Sequence, residues 1–600
     1  MKGRAGLLFV GMACWMAGCV FASFWLPSAA GRVATPAAHD YVKHHAVLLS
    51  LERHPLPLHN IFYAAEADTP YYYYEYHYLL PAALRAMTGH RVSIAFAFGL
   101  TSAVTAVACM AMVFFLAWDW FVSARVALLA AACVSLVGGW DAIPIAARVL
   151  AGGSFAVTLD AWCPVAWRVH NIATQYLWCP QHVSALIALL LCCRWLHRAP
   201  TARWWLVLAP FLGASVFGSS AYLAMTMFPA AAIYALVAWR RAARSDGRAG
   251  RHVLLGIALI AGIGAALMGV QAWHYATMNS RFPGGLTLQW ERFPFAVLGR
   301  LVGPGPIANL LDAPWVILIE CGLTAVACVL VSRRVWSILW HDSGGSLLLI
   351  TGVVGIALLL TVRSDVNRID YGFRIAVMPA MALAAICAGV LLMPQNVRPC
   401  AAERIRLVVT LGVLLGLPVG LWEVPMTAVR SLLETPAFAP DAGAIRFLRD
   451  NTPRDAVVQG DPVARMTLPQ LVDRQMGVLD PDNAHFRVFW PKDEARLRAA
   501  FADVKDAWSL TSGEAAYAKL ASWGVTHVLV GSVERRHLAA MNPFADPAWF
   551  ELVFDDGDAA VYRLTSQPDA ISLWKDAAAD DSVKPLRTGG SAAPEETFVP

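Results

Sequence analysis

The stretch ADTPYYYYEYHYLLPAALRAMTG, residues 67–89, sets four consecutive tyrosines, then Glu75, Tyr76, His77 and Tyr78, just ahead of a long apolar segment. A solvated loop has no need of so much aromatic surface. A buried core does not choose that many hydroxyls without partners. Tyrosine rings are enriched where a bilayer meets water, with the apolar ring in the boundary and the hydroxyl at headgroup level. The run therefore marks the edge of a membrane, and the surrounding chain is consistent with that. The aromatic belt explains one or two of the tyrosines. It explains Glu75 and His77 poorly, because ionisable groups near a bilayer are costly unless something pairs with them.

The 600 residues are 58% hydrophobic and only 15% charged, against about 25% charged in soluble domains. Mean hydropathy is +0.53. These values define a polytopic α-helical membrane protein. The net charge of +5 says little, because placement of basic residues matters more than their sum. No basic run interleaved with aromatics points to nucleic acid. Most of the 12 cysteines fall in apolar spans, where they read as small hydrophobes. Cys163 and Cys179 lie in an expected external segment and are the candidates for a disulfide. No His/Cys cluster has zinc spacing.

Runs of roughly 17–25 apolar residues identify transmembrane helices. About eleven are expected, near 5–26, 93–117, 125–141, 181–196, 204–218, 219–239, 253–272, 313–332, 345–362, 372–393 and 406–423. The first follows Lys2 and Arg4 and is longer than a signal-peptide apolar region, so it reads as a retained helix. If the N-terminus is cytoplasmic, the inner connections carry Arg125; Arg194, Arg198 and Arg203; Arg240, Arg241, Arg244, Arg248 and Arg251; Arg333 and Arg334; and Arg398, Arg404 and Arg406. Every inner loop is then basic, the positive-inside pattern. The chain divides into a first span (1–26), an external first loop (27–92), a multi-helix membrane domain (93–423), an external α/β domain (424–565) and a disordered tail (566–600). In the last domain, GEAAYAKLASWG has helical spacing and stops at Gly524, THVLVG reads as a buried strand, and FELVFDDGDAAVYRLT as a hairpin.

The external loops carry the chemistry. Asp40 and His44 are four apart and share a face if helical, with Lys43 and His45 beside them. The AVLLSL that follows would lay this helix along the membrane surface. Asp40 is either a helix cap or a general base toward a hydroxyl or amine. His44, His45, His54 and His59 match no standard metal spacing. Tyr72, Tyr74, Glu75 and His77 suit a sugar, with hydroxyls for hydrogen bonds and rings for stacking. Gln175, Gln181 and His182 converge at the mouth of a helix beginning at Pro180. Arg363, Asp365, Arg368, Asp370 and Arg374 are packed between two apolar helices. The spare arginine favours a phosphate partner. Glu320 is a further intramembrane carboxylate.

Together these pieces resemble the GT-C superfamily of integral-membrane glycosyltransferases. Asp40 opens a long first loop that ends in TPYYYYEYHYLLPAALRAMTG; WCPQH, ECG, DYGFR and a C-terminal α/β region complete the likeness. The resemblance extends to a set of bacterial and archaeal membrane proteins of GT-C type with tyrosine-rich loops. It implies a polyprenyl-phosphate-linked sugar donor, an envelope glycan, lipid or protein as acceptor, and transfer with inversion on the external face. By the resemblance Asp40 is the catalytic acidic position. Lys43, His44, Tyr72, Tyr74, Glu75, His77, His182, Glu320, Arg363, Arg368, Asp370 and Arg374 are then substrate-binding residues, with Arg374 foremost for phosphate. Many relatives carry a paired acidic motif in this loop. Here Tyr41 follows Asp40 and no second carboxylate is adjacent. A metal-free site fits that departure, with a divalent cation as the alternative. The rival readings are a flippase for a lipid-linked sugar and a non-catalytic membrane scaffold.

Overall fold

The computed structural model describes residues 4–24, 40–53, 58–66, 70–71, 75–137, 146–152 without 148, 172–198, 205–278 without 246, 286–316 without 292, 294 and 295, 333–364, parts of 407–428, 441–465, 468–481, 494–538 and 541–565. The elements in the first part of the chain are α1 (Arg4–Phe24), α2 (Asp40–Arg53), β1 (Leu58–His59), β2 (Pro70–Tyr71), α3 (Tyr76–Met87), α4 (Ile94–Phe121) and α5 (Ala124–Leu136). The bundle continues with α6 (Ile172–Trp178), α7 (Pro180–Arg198), α8 (Trp205–Ser219), α9 (Ala221–Ser245), α10 (Gly247–Met278), β3 (Leu286–Leu288), α11 (Pro306–Leu311), α12 (Arg333–His341), α13 (Ser343–Thr361) and β4 (Val362–Ser364).

Among the described residues, five helices are long and apolar enough to cross a membrane: Arg4–Phe24, Ile94–Phe121, Ala221–Arg244, Gly250–Gly269 and Ser343–Thr361. The chain is a mostly helical, polytopic membrane protein. Several expected boundaries shift. The span expected at 125–141 is helical over Ala124–Leu136, with an N-cap in which Ser123 accepts from Val126 N–H. The helix expected at 253–272 runs over Gly247–Met278. The break expected near Gly218 falls at Ser220, between α8 and α9. The span expected at 372–393, and that at 313–332 beyond Val316, lie outside the described residues.

Helix directions define two ends. Phe9 on α1 packs on Phe114 of α4, and Phe24 packs on Phe98, so α1 and α4 are antiparallel. The end reached by the C-termini of α4 and α7 holds Asp119, Arg194 and Arg198, with Arg194 Nε and Arg198 Nη2 at 3.0 and 2.6 Å from the carboxylate. Asp342, which caps α13, joins this end through Trp120 and His197. Arg241 of α9 donates to the Trp340 carbonyl beside it. The opposite end carries the first loop, the starts of α4, α7 and α9, and the ribbon of β3 and β4, whose antiparallel pairing sets Thr287 opposite Arg363.

Residues 441–565 build a sheet ordered β6 (Gln475–Met476), β5 (Val457–Gln459), β7 (His527–Val530), β9 (Ala560–Leu564), β8 (Phe550–Asp555). β5 runs parallel to β6 and β7, while β9 is antiparallel to β7 and β8. The hairpin turns at Gly557, whose positive φ of 86° suits a residue without a side chain. Gly524, at φ 75°, follows the helix Gly513–Ser522 and ends it as a left-handed cap. All four residues of β7 are buried; Val528 lies in one core cluster with Trp508, and Leu529 in another with Ile445 and Leu448. Ahead of the sheet, the helix Ala442–Asn451 turns Ile445 and Leu448 inward.

The first loop is sewn into this sheet. Met476 N–H donates to the Ile61 carbonyl at 3.0 Å, Ala64 N–H donates to the Gly477 carbonyl at 2.9 Å, and Tyr63 forms an antiparallel bridge with Val478. The segment around Ile61, Phe62 and Tyr63, all three fully buried, thus covers the β6 edge that would otherwise offer unpaired main-chain groups. Burying each such side chain contributes about 1.5–3 kcal/mol. The expectation that α2 lies along the membrane surface is corrected here: Lys43 to Ser50 are all buried. α2 is held between the bundle helices α3 and α4 on one side and the Leu468–Val472 helix of the sheet region on the other.

Candidate functional site

Asp40 stands at the first position of α2, one turn ahead of His44. His44 Nδ1 and the Tyr78 hydroxyl are 2.5 Å apart and share a hydrogen bond. Phe98, near the start of α4, organises the rings around it. His44 stacks on it at 5.2 Å, Tyr78 stacks on it at 5.9 Å, and His45 and His77 meet it edge-on. The first turn of α3 therefore faces the first turns of α2 across one aromatic ring. Tyr78 is buried, not a lipid-facing belt residue.

Glu75 immediately precedes α3 and makes no side-chain cap hydrogen bond. It is buried, and its Oε1 has no hydrogen-bond partner among the described residues. Burial pushes its carboxyl up to about 7. Tyr76 lies flat against Gly218, where a Cβ would come within 2.7 Å of the ring. His77 Nδ1 is 2.8 Å from Ser184 Oγ, whose hydroxyl reaches the Pro180 carbonyl. With that proton on the carbonyl, His77 donates from Nδ1 and keeps a lone pair on Nε2, a buried atom with no partner among the described residues. Burial holds the imidazole at about 3, so it is neutral across the physiological range.

α7 supplies the next polar groups. His182 Nδ1 is 2.7 Å from Ser220 Oγ, in the break between α8 and α9, and that hydroxyl also accepts from Leu223 N–H. The Gln181 amide approaches His182 Nε2 at 3.4 Å, leaving Gln181 Oε1 without a partner among the described residues. Gln175, midway along α6, is fully buried, and neither its oxygen nor its nitrogen finds one among the described residues. A buried polar atom left unpaired costs about 1–3 kcal/mol. Four such side chains gathered at one end of the bundle suit a polar, hydroxyl-rich ligand.

An ionic clasp fixes α2 and α3 against the sheet. Arg85 Nε is 2.6 Å from Glu52 Oε1, and its Nη2 is 3.0 Å from Asp473 Oδ2. Arg85 also donates to the Val92 carbonyl. Arg53 and Arg474 both donate to the Asp473 carbonyl, and Arg53 reaches the Arg454 carbonyl. His90 and Asp473 both have positive φ, 60° and 54°, a backbone cost that the surrounding hydrogen bonds must override. Burial opposes charge on the Arg85 guanidinium, but attraction to Asp473 and Glu52 and their hydrogen bonds outweigh it and raise its pKa.

Of the residues expected from sequence, the structure brings Lys43, His44, Glu75, His77 and His182 to this end, and all five are buried. Arg363 sits on the β3–β4 ribbon, where Glu291 is 2.8 Å from its Nη1. The spare-arginine expectation counted only the acids of its own loop and missed this one. The Asp40 side chain, Tyr72, Tyr74, Glu320, Arg368, Asp370, Arg374 and Cys163 lie outside the described residues. Among the described residues no three His, Cys, Asp or Glu side chains are placed to hold a metal. The residues missed were Tyr78, Ser184, Ser220 and the Glu52–Arg85–Asp473 clasp. Tyr78 was within reach of sequence, being the last ring of the run and one position after His77. The clasp was not, since its partners are separated by 388 positions.

No protein-family model matches the chain, and no curated protein matches it. Several solved structures resemble it, among them the following two. ArnT from Cupriavidus metallidurans bound to undecaprenyl phosphate is 12% identical, with a TM-score of 0.45, over 94% of this chain and 98% of that one. The archaeal oligosaccharyltransferase AglB from Archaeoglobus fulgidus, in complex with an inhibitory peptide and a dolichol-phosphate, is 13% identical, with a TM-score of 0.42, over 93% of this chain and 74% of that one. At these scores neither resemblance assigns an activity or a binding partner to the chain.

Proposed function

We propose that the chain is an inverting membrane glycosyltransferase of GT-C type, moving a sugar from a polyprenyl-phosphate-linked donor to an envelope acceptor. The observation that carries this reading is the under-satisfied, aromatic-walled polar cluster of Glu75, His77, Gln175 and Gln181 at the end of the bundle where α2 begins with Asp40. An acceptor hydroxyl loses its proton to the Asp40 carboxylate. Its oxygen forms the new bond to the anomeric carbon, and the carbon–oxygen bond to phosphate breaks, so polyprenyl phosphate leaves with the electron pair. Lys43, Arg363, Arg368 and Arg374 stabilise charge on that phosphate, and Asp370 is a further substrate-binding residue. Tyr72, Tyr74, Glu75, His77 and His182 orient sugar or acceptor, and Glu320 is assigned to the same substrate-binding set. Neutral His77 is a hydrogen-bond acceptor for a hydroxyl, not a charge.

Sidedness belongs to the same proposal. The arginine-rich end faces the cytoplasm, and the first loop and the sheet lie on the external side of the cytoplasmic membrane. The arrangement of helix ends described above supports this, because the sheet contacts the first loop and the basic cluster sits at the other end.

Binding of polyprenyl phosphate to the purified protein, followed by sugar transfer, tests the reading. The wild type and Asp40→Asn should bind, Arg374→Ala should not, and Asp40→Asn should abolish transfer. If Asp40→Asn leaves a lipid-linked sugar moving across the membrane at the wild-type rate, the chain is a flippase. If the wild type binds no carrier, both readings fall and a scaffold takes their place.

A further inference from the structure

We infer that residues 286–316 form a hook that inserts into the bilayer leaflet at the first-loop end of the bundle, an assignment independent of the glycosyltransferase reading. The segment is irregular. A 3-10 turn, Leu298–Leu301, leads through Gly305, at φ 144°, into the six-residue helix α11. Such a segment ordinarily leaves its main-chain groups to water. Here they are met from inside. The fully buried Asp312 carboxylate accepts from the N–H groups of Val297, Leu298 and Gly299 at 2.9, 2.8 and 3.0 Å. The equally buried Asn309 accepts from Phe293 N–H and donates to the Glu291 carbonyl. Gly299 makes this possible, since a Cβ there would strike Asp312 and the Ala308 carbonyl.

The outward face is the reverse of what water selects. Leu301 is 82% exposed, Ile307 71% and Trp290 61%, and Val297, Leu310 and Trp315 are exposed beside them. A soluble surface rarely gathers so many large apolar side chains. Non-helical backbone at membrane depth is tolerated only where its polar groups are satisfied by protein, and that is the arrangement Asp312 and Asn309 provide. Trp290 and Trp315 are the ring type that favours the headgroup boundary, and the exposed Arg300 can reach back to lipid phosphates.

Continuity with the membrane-facing surface identifies the occupant as lipid. β3 pairs with β4, which directly continues the spanning helix α13, and Gln289 N–H donates to the Thr361 carbonyl at that helix's last residue. A small core of Phe293, Val316 and Leu360 locks the hook to the same helix. The spanning helix α13, against which the hook packs, itself exposes Val353.

The test uses the full-length protein in nanodiscs of phosphatidylcholine and phosphatidylglycerol, with a benzoylphenylalanine replacing Leu301 or Ile307. The same group replacing Met541, which is 66% exposed in the sheet region, is the control. After photolysis, mass spectrometry should find lipid adducts at both hook positions about tenfold above the control. A cross-linked dimer from either hook position would show that a second copy covers this face and would overturn the assignment. Lipid adducts no more abundant than at Met541 would place the hook in water and overturn it too. Leu301, the more exposed site, decides the matter alone if the Ile307 variant does not fold.

Discussion

The two ends of the helical bundle treat their polar side chains in opposite ways. At the arginine-rich end every carboxylate oxygen described has a partner: Asp119 holds Arg194 and Arg198, and Asp342 holds Trp120, His197 and the N–H of Gly345. At the first-loop end Glu75, His77, Gln175 and Gln181 each keep a buried polar atom without a partner among the described residues. A network that only holds a fold gains by saturating its members. A site that binds something keeps groups in reserve and is less stable for it. In the proposed function this difference separates scaffold from site.

The largest effect belongs to the clasp that holds the site in place. Arg85→Met leaves Glu52 and Asp473, whose side chains are 6% and 14% exposed, without this cation, and breaking a buried pair costs about 3–5 kcal/mol. We expect a large fall in thermal stability in detergent and rapid proteolysis of the first loop near Ile61. If the variant melts with the wild type and the loop stays protected, strand addition at β6 alone holds the sheet to the bundle.

Next comes Glu75→Gln, which separates stability from function. The carboxyl is raised by burial from an ordinary 4.5 to about 7. The native state therefore binds the proton more tightly, and its contribution to stability is full below pH 4.5 and lost as pH rises through 7. At pH 8 the variant should be more stable than wild type by up to about 3 kcal/mol, with no difference at pH 4.5. Melting curves at the two pH values check this. In the proposed reaction the same change lowers transfer. His77 works with the opposite sign, since its depressed value means stability is lost as pH falls from 6.5 toward 3. A smaller loss is expected for Gly218→Ala, about 1–3 kcal/mol, because the new methyl group meets the Tyr76 ring. Its test is whether Tyr76→Ala restores the melting temperature.

Much of this was legible in the chain. Apolar length placed α1, α4, α9 and α13, and Gly524 and the DDGD turn placed a helix end and a hairpin, because those signals are local. The run ending at Tyr78 drew attention to its rings, and His77 and His182 are buried at the same end of the bundle. What was hidden depends on partners distant in sequence. Nothing around Glu52 indicates Arg85, and nothing around Arg85 indicates Asp473. The surface-helix reading of α2 failed for the same reason: an apolar run beside polar residues looks alike whether lipid or a sheet from the far end of the chain covers it. Glu291, which reaches Arg363 from beyond the end of β3, was equally hidden from a reading of the arginine's own loop.

The smallest effect tests the comparison from its other side. Asp119→Asn removes the charge that Arg194 and Arg198 share, but Arg198 is 58% exposed and can turn to water. Exposed pairs contribute about 0–1 kcal/mol, and we expect a loss near the top of that range, with carrier binding and transfer unchanged. The informative quantity is the ratio of the two kinds of effect. Glu75→Gln should gain stability and lose function, whereas Asp119→Asn should lose a little stability and no function. Should Asp119→Asn depress transfer as strongly as Glu75→Gln, saturation of hydrogen bonds would no longer distinguish scaffold from site. The two ends would then have to be coupled through α4 and α7, the helices that carry Asp119 and His182.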